Sequence, residues 1–115
     1  MNAITTLHII TAGALLACAG ALQAAEGDPT AGKGKTTMCI GCHGIGGYKT
    51  VFPDVYHVPK LGGQHAAYIV KALQEYKAGN RSHPTMRAIA AGLSDQDMAD
   101  LAAYYASDAM KSAAK

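Results

Sequence analysis

Residues 39–43 read Cys39-Ile40-Gly41-Cys42-His43, a C-x-x-C-H run. Two thiols three positions apart can reach the two vinyl groups of one haem, and the adjacent imidazole can reach the iron from the same side. Only three Cys and five His occur in the 115 residues, so a chance run is a weak rival. Cys39 and Cys42 are therefore the candidate thioether attachments, and His43 is the candidate proximal iron ligand. One covalent haem c is the cofactor this implies. A redox dithiol would use the same thiols but needs a βαβ setting, and no strand pattern or internal repeat appears. A zinc site would need a second Cys/His pair at ligand spacing, and none is present.

Upstream of the motif the first charged residue is Glu26. The stretch Ile9 to Leu22 is apolar and Ala24-Ala25 are small, the layout of a secretory signal peptide cleaved near Ala25. The n-region departs from that layout, with only the amino terminus and His8 as basic groups. A bilayer span needs about 20 apolar residues, and this run is shorter and broken by Gly and Thr. Leu15-Leu16-Ala17-Cys18 is a poorer fit to a lipoprotein processing site. The expected organisation is a signal peptide over 1–25 and one domain over 26–115, located in the periplasm, with no stable membrane span after cleavage. The third cysteine, Cys18, leaves with the signal.

All charged side chains fall after residue 25, so the mature peptide keeps the formal +2. Two haem propionates bring that close to neutral. No basic run or face marks a nucleic-acid partner. So short a domain buries only a modest core, and a covalently held haem would supply an apolar centre, as metals and disulfides do in other small domains.

Downstream and upstream, the helical signals are uneven. Asp28-Pro29 opens a first helix running to about Cys42, with Asp as N-cap and Pro at N1; Gly32 and Gly34 weaken it. Residues 44–63 carry five Gly and two Pro and read as a long loop, of the kind that wraps a cofactor. Ala66, Ile69, Val70, Leu73 and Tyr76 recur at helical spacing over Gln64–Lys77, and Gly79-Asn80 ends that helix. Residues 81–93, with Pro84 and Met86, read as a second loop. Ser94 caps the strongest helix, with Asp95 and Asp97 in its first turn. Met98, Leu101, Ala102, Tyr105 and Ala109 form its inner face.

The iron needs a sixth ligand or a vacant position. Met38 adjoins the attachment site and cannot reach across the ring. Met98 lies on an inner helix face, Met110 near the terminus, and His65 at a helix start. Met86 is the preferred ligand, since its loop can aim the thioether at the iron. His83 and His57 remain as bis-His alternatives.

These residues give the chain a family likeness. It resembles class I cytochromes c, in particular one lobe of the bacterial cytochrome c4 type. The matching stretches are Ala31-Gly32-Lys33, Cys39 to Gly44, Pro59-Lys60-Leu61-Gly62-Gly63-Gln64, Tyr68, Tyr76 to Arg81, Met86, Leu93 to Asp97, and Leu101 to Tyr105. The resemblance implies an all-α fold, with three main helices and long loops around one covalent haem. It implies Met86 as distal ligand, and Pro59 as the residue whose carbonyl receives the proximal imidazole N–H, with Pro53 as the fallback. It also implies that Gly32 marks the crossing of the first and last helices, against Tyr104 or Tyr105. Lys35 stands where an apolar residue is commoner, which predicts a weaker contact there. The segment Gly46–Val58, with Tyr48, Phe52, Tyr56 and His57, is longer than usual and reads as a haem-edge shield or a contact surface.

The function these features imply is one-electron transfer between redox protein partners, without catalysis. Surface lysines 33, 35, 49, 60, 71 and 77 are candidates to steer encounter. A haem subunit of a periplasmic oxidoreductase complex is the alternative, and a haem enzyme or gas sensor with an open sixth position a further one. A homodimer imitating a two-lobe relative is also compatible.

Overall fold

The computed structural model describes residues 25–51 and 55–107. The expected signal segment, apart from Ala25, lies outside them, as do Pro53, Phe52 and Met110. In chain order the elements are α1 (Pro29–Gly34), α2 (Thr37–His43), β1 (Lys49–Thr50), β2 (Tyr56–His57), α3 (Ala66–Ala78), α4 (Pro84–Ala91) and α5 (Asp95–Ala106). The three expected main helices are present. The first is broken, and a fourth occupies a segment expected to be loop.

Asp28 caps α1 by accepting the Thr30 amide, with Pro29 in the first turn. The break follows from the sequence: Gly34 weakens the helix, and the Thr36 hydroxyl donates to the Lys33 carbonyl at 2.9 Å. The chain restarts at once as α2. At α3 the C-cap is Gly79, at φ 82°, the left-handed conformation a glycine adopts without strain. A full capping box starts α5: the Asp97 amide donates to the Ser94 hydroxyl, and the Asp97 carboxylate receives the Ser94 amide at 2.9 Å.

The first and last helices cross almost backbone to backbone. A Cβ at Gly32 would stand 2.0 Å from the Asp100 carbonyl oxygen and 2.9 Å from the Tyr104 Cβ. Gly27, just before the helix, repeats the arrangement: a Cβ there would stand 2.0 Å from the Ala99 carbonyl oxygen. Beyond the crossing, α3 packs on both α4 and α5. The core gathers Ile69, Leu73, Ala90, Met98, Leu101, Ala102 and Tyr105. Met98 is fully enclosed, which alone is worth roughly 1.5–3 kcal/mol of transfer free energy.

Lys35 corrects the expectation of a weak contact. Its ammonium pairs with Asp97 at 2.7 Å and Asp100 at 2.6 Å. Asp100 is only 3% exposed. Its carboxylate also accepts the Asp28 amide at 2.9 Å and the Gln96 side-chain amide at 2.8 Å. The polar residue in an otherwise apolar contact is thus the cation of a satisfied cluster. These bonds, Lys35 first, hold the Asp100 carboxyl down at about 2. Lys35 also holds Asp97 well below the carboxylate range, aided by the Ser94 hydroxyl and amide, while Asp100 and then Asp97 raise Lys35.

A small antiparallel ladder, Lys49 opposite His57 and Thr50 opposite Tyr56, crosses the segment expected to be wholly loop. The Val58 amide extends it by donating to the Tyr48 carbonyl at 2.9 Å. Two residues per strand are too few for alternation to show in a sequence. Among the described residues, no helix is long and apolar enough to cross a membrane.

Two outcomes follow from the helix crossing. Gly32→Ala forces two backbones apart and should cost about 1–3 kcal/mol in denaturant unfolding of the haem-loaded protein; an unchanged midpoint would contradict the contact. Both carboxylates have depressed values, so their contribution is complete above the unfolded carboxylate range, near pH 4, and is lost as pH falls toward 2. Asp100→Asn should therefore lower the midpoint at neutral pH and flatten its decline between about pH 4 and 2.

Candidate functional site: a cavity between the C-x-x-C-H helix and the Met86 helix

The motif lies on α2, so Cys39, Cys42 and His43 fall at i, i+3 and i+4 and share one helix face. That face borders a cavity of about 590 Å³, within the roughly 300–1,000 Å³ usual for cofactor pockets. Pro59 and Met86 line the same cavity. All five residues singled out from the sequence are thus brought to one space.

The two thiols are not joined in a disulfide, and both are half-buried. Burial pushes the Cys39 thiol up, against the Tyr105 side chain. The His43 Nδ1–H donates to the Pro59 carbonyl at 2.7 Å, with that tautomer assigned from the bond. This fixes the imidazole plane and leaves Nε2 as the ring's lone-pair donor. The loop holding Pro59 is itself anchored, because the nearby Gly63 amide donates to the Tyr105 carbonyl at 2.9 Å.

Met86 does not lie in a loop. It is the third residue of α4, which starts at Pro84 behind the N-cap His83. Pro84 reads as a loop signal in the sequence, but proline is equally at home in the first turn of a helix. The other ligand candidates fall elsewhere. Met98 is buried in the core, and Met38 is 70% exposed. His65 is the exposed N-cap of α3. His57 and His83 do border the cavity, but the His83 Nδ1 accepts the Met86 amide at 3.3 Å. An imidazole accepting at Nδ1 carries its proton on Nε2, which disfavours ligation from that nitrogen.

The surroundings suit a large apolar group. Ile69, Leu73 and Leu101 supply apolar wall. The Tyr105 hydroxyl is buried at the wall with no hydrogen-bond partner among the described residues, and burial raises it well above the ordinary phenol value. That hydroxyl has only the Cys39 thiol beside it, which leaves a bound group to complete the wall. Among the described residues, no cluster of three His, Cys, Asp or Glu side chains is arranged to hold a metal ion by itself, so the zinc alternative finds no support. The residues present fit a haem: two thiols, an oriented imidazole and a thioether around one apolar space.

The family model described as Cytochrome c matches residues 30–107. This chain belongs to the cytochrome c family. The family carries covalently bound haem c, and its class I fold is the helical arrangement described above. Cytochrome c4 of Pseudomonas aeruginosa is 40% identical over 89 residues, covering 77% of this chain but 42% of that protein. Cytochrome c-554(548) of Halomonas halodenitrificans is 40% identical over 84 residues, covering 70% of this chain and 96% of that one. The crystal structure of reduced recombinant cytochrome c4 from Pseudomonas stutzeri superposes with a TM-score of 0.57 at 40% identity, covering 70% of this chain and 45% of that one. The chain therefore spans less than half the length of the cytochrome c4 relatives and nearly all of the shorter cytochrome.

The His43–Pro59 bond can be read directly. In the reduced haem-loaded cytochrome, the His43 Nδ1 proton should give a resolved NMR signal protected from solvent. Pro59→Gly, which frees the backbone carrying the acceptor, should speed its exchange by up to about tenfold, on the scale of one hydrogen bond. Equal exchange in the two proteins would show that the proline does not hold the imidazole.

Proposed function

We propose that this cytochrome is a periplasmic one-electron carrier with His43 and Met86 as the axial ligands of a haem joined to Cys39 and Cys42. The observation that carries the reading is the convergence of the α2 motif, the Pro59 carbonyl and the α4 methionine on one apolar cavity. Residues 1–25 are read as the export signal, which fits the covalent attachment motif immediately downstream.

When bound, the haem supplies an iron that exchanges a single electron between the ferric and ferrous states. The chain's residues set the conditions for that exchange. His43, oriented through Nδ1 by Pro59, presents Nε2 as the proximal donor. The Met86 thioether is a neutral, soft donor that favours the lower-charge state and raises the potential. Ile69, Leu73 and Leu101 keep water from the centre and act in the same direction. Were His43 and Met86 both to hold the iron, no position would be left on it for a substrate, as a carrier rather than an enzyme or gas sensor requires.

Partners are read as other redox proteins that dock at the cavity mouth. Lys35 and Lys71 are paired with carboxylates, and Lys77 donates to the Leu93 carbonyl. Among the described residues, Lys33, Lys49 and Lys60 have no such pairing. Lys60 borders the cavity and Lys49 lies on the hairpin, so these two are the better placed to steer an acidic partner.

Optical redox titration tests the ligand set. Met86→His should lower the potential by on the order of 0.1 V, within the range that axial ligands command. Met86→Ala should abolish the thioether-to-iron band and let the reduced protein bind CO. Ready CO binding by the wild type at neutral pH would rule out the Met86 assignment.

A further inference from the structure

We infer that His83 is a positioning residue for the iron site: it caps α4 on the amide of Met86 itself and is held in place by two aromatic rings from other elements. This rests on the reading of Met86 as the distal ligand.

The cap acts on the ligand residue directly. The His83 backbone is extended, and its Nδ1 accepts the Met86 N–H at 3.3 Å. Pro84 has no N–H, so the first turn of α4 exposes fewer unpaired donors than usual. The one that His83 satisfies fixes where the Met86 backbone starts its side chain. Beyond its packing on α3, the helix has little else to hold it. It is eight residues long, and Ala90 is its one fully buried residue. A short helix with a small buried face depends strongly on its caps.

The His83 ring is itself fixed from two sides. The Tyr56 ring of β2 lies 4.5 Å away, centroid to centroid, tilted at 52°. The Tyr76 ring of α3 lies 6.5 Å away, edge-on at 81°. Both distances fall within the range of attractive aromatic pairs. Tyr76 is backed in turn by the Arg81 guanidinium, 4.9 Å from its ring centre, and Arg81 Nη1 donates to the Tyr68 hydroxyl at 3.3 Å. Serine, aspartate or asparagine would make the same cap. None of them could stack between Tyr56 and Tyr76. Histidine does both, and so couples the hairpin and α3 to the backbone of the ligand residue. The extended segment before Val58 thereby gains a structural role, since its Tyr56 props the distal side of the site.

The test uses the haem-loaded full chain with His83→Ala, His83→Asn and His83→Phe. Imidazole can bind the ferric iron only when Met86 leaves, so its apparent binding constant reports how firmly Met86 is held. The thioether-to-iron absorption band is followed in parallel, with exchange of the Met86 amide by NMR. His83→Ala should bind imidazole about fivefold more tightly, the factor carried by one N-cap bond, and expose the Met86 amide. His83→Asn should recover most of the wild-type value through the cap alone. His83→Phe keeps a ring but not the acceptor, and should leave the amide as exposed as in His83→Ala. Equal imidazole binding in wild type and His83→Ala overturns the inference, as does an Asn variant no closer to wild type than the Ala variant. A wild type that lacks the thioether band altogether contradicts the Met86 assignment instead.

Discussion

Two backbones meet where α1 crosses α5, and most of the site takes its register from that meeting. Because Gly32 and Gly27 carry no side chain, the carbonyls of Asp100 and Ala99 occupy the space a Cβ would need. That approach brings the Asp28 amide and the Lys35 ammonium onto the same Asp100 carboxylate. It also fixes where α2 begins, with only two residues between it and α1, and so where Cys39 faces Tyr105. One wall of the cavity is thus set by a contact that involves no cavity residue.

The other walls are built differently. The motif residues on α2 share a face through helix geometry alone. The imidazole is aimed by a carbonyl from a loop, and that loop is tied back to α5 through Gly63 and Tyr105. The thioether side depends on a short helix, a histidine cap and a hairpin too small to be stable alone. None of these pieces buries much apolar area of its own. In a domain of this size a covalently held cofactor takes the place of a larger core.

The legible parts of the sequence are those governed by local rules. C-x-x-C-H needs only one helical turn to make its geometry. The Ser94–Asp97 box and Gly79 mark helix ends through bonds between near neighbours. The periodic positions of α3 and α5 belong to the core or pack against it as the spacing implies, apart from Ala109, which lies outside the described residues; Ala99 and Asp100 are buried as well, on the side facing α1. What the residues do not disclose depends on distant partners. Lys35 looks misplaced until Asp97 and Asp100 are brought to it. His83 is not a usual N-cap, so α4 reads as loop. The Pro59 role rests on family resemblance, since a carbonyl 16 residues from the imidazole leaves no local trace. Gly27 gives no signal at all, because its reason is the backbone of the last helix.

The segment before α1 holds to α5. Gln96 donates to the Glu26 carbonyl at 3.0 Å, and the Asp28 amide reaches Asp100 across 72 positions of sequence. Such pairing carries a high contact order: a long loop must close before either terminal helix gains its partner. The attachment helix then borrows its order from residues far along the sequence. Cys39 packs against a core that includes Leu101, Ala102 and Tyr105 of α5, so the wall beside the first thiol is completed only when that distant helix docks.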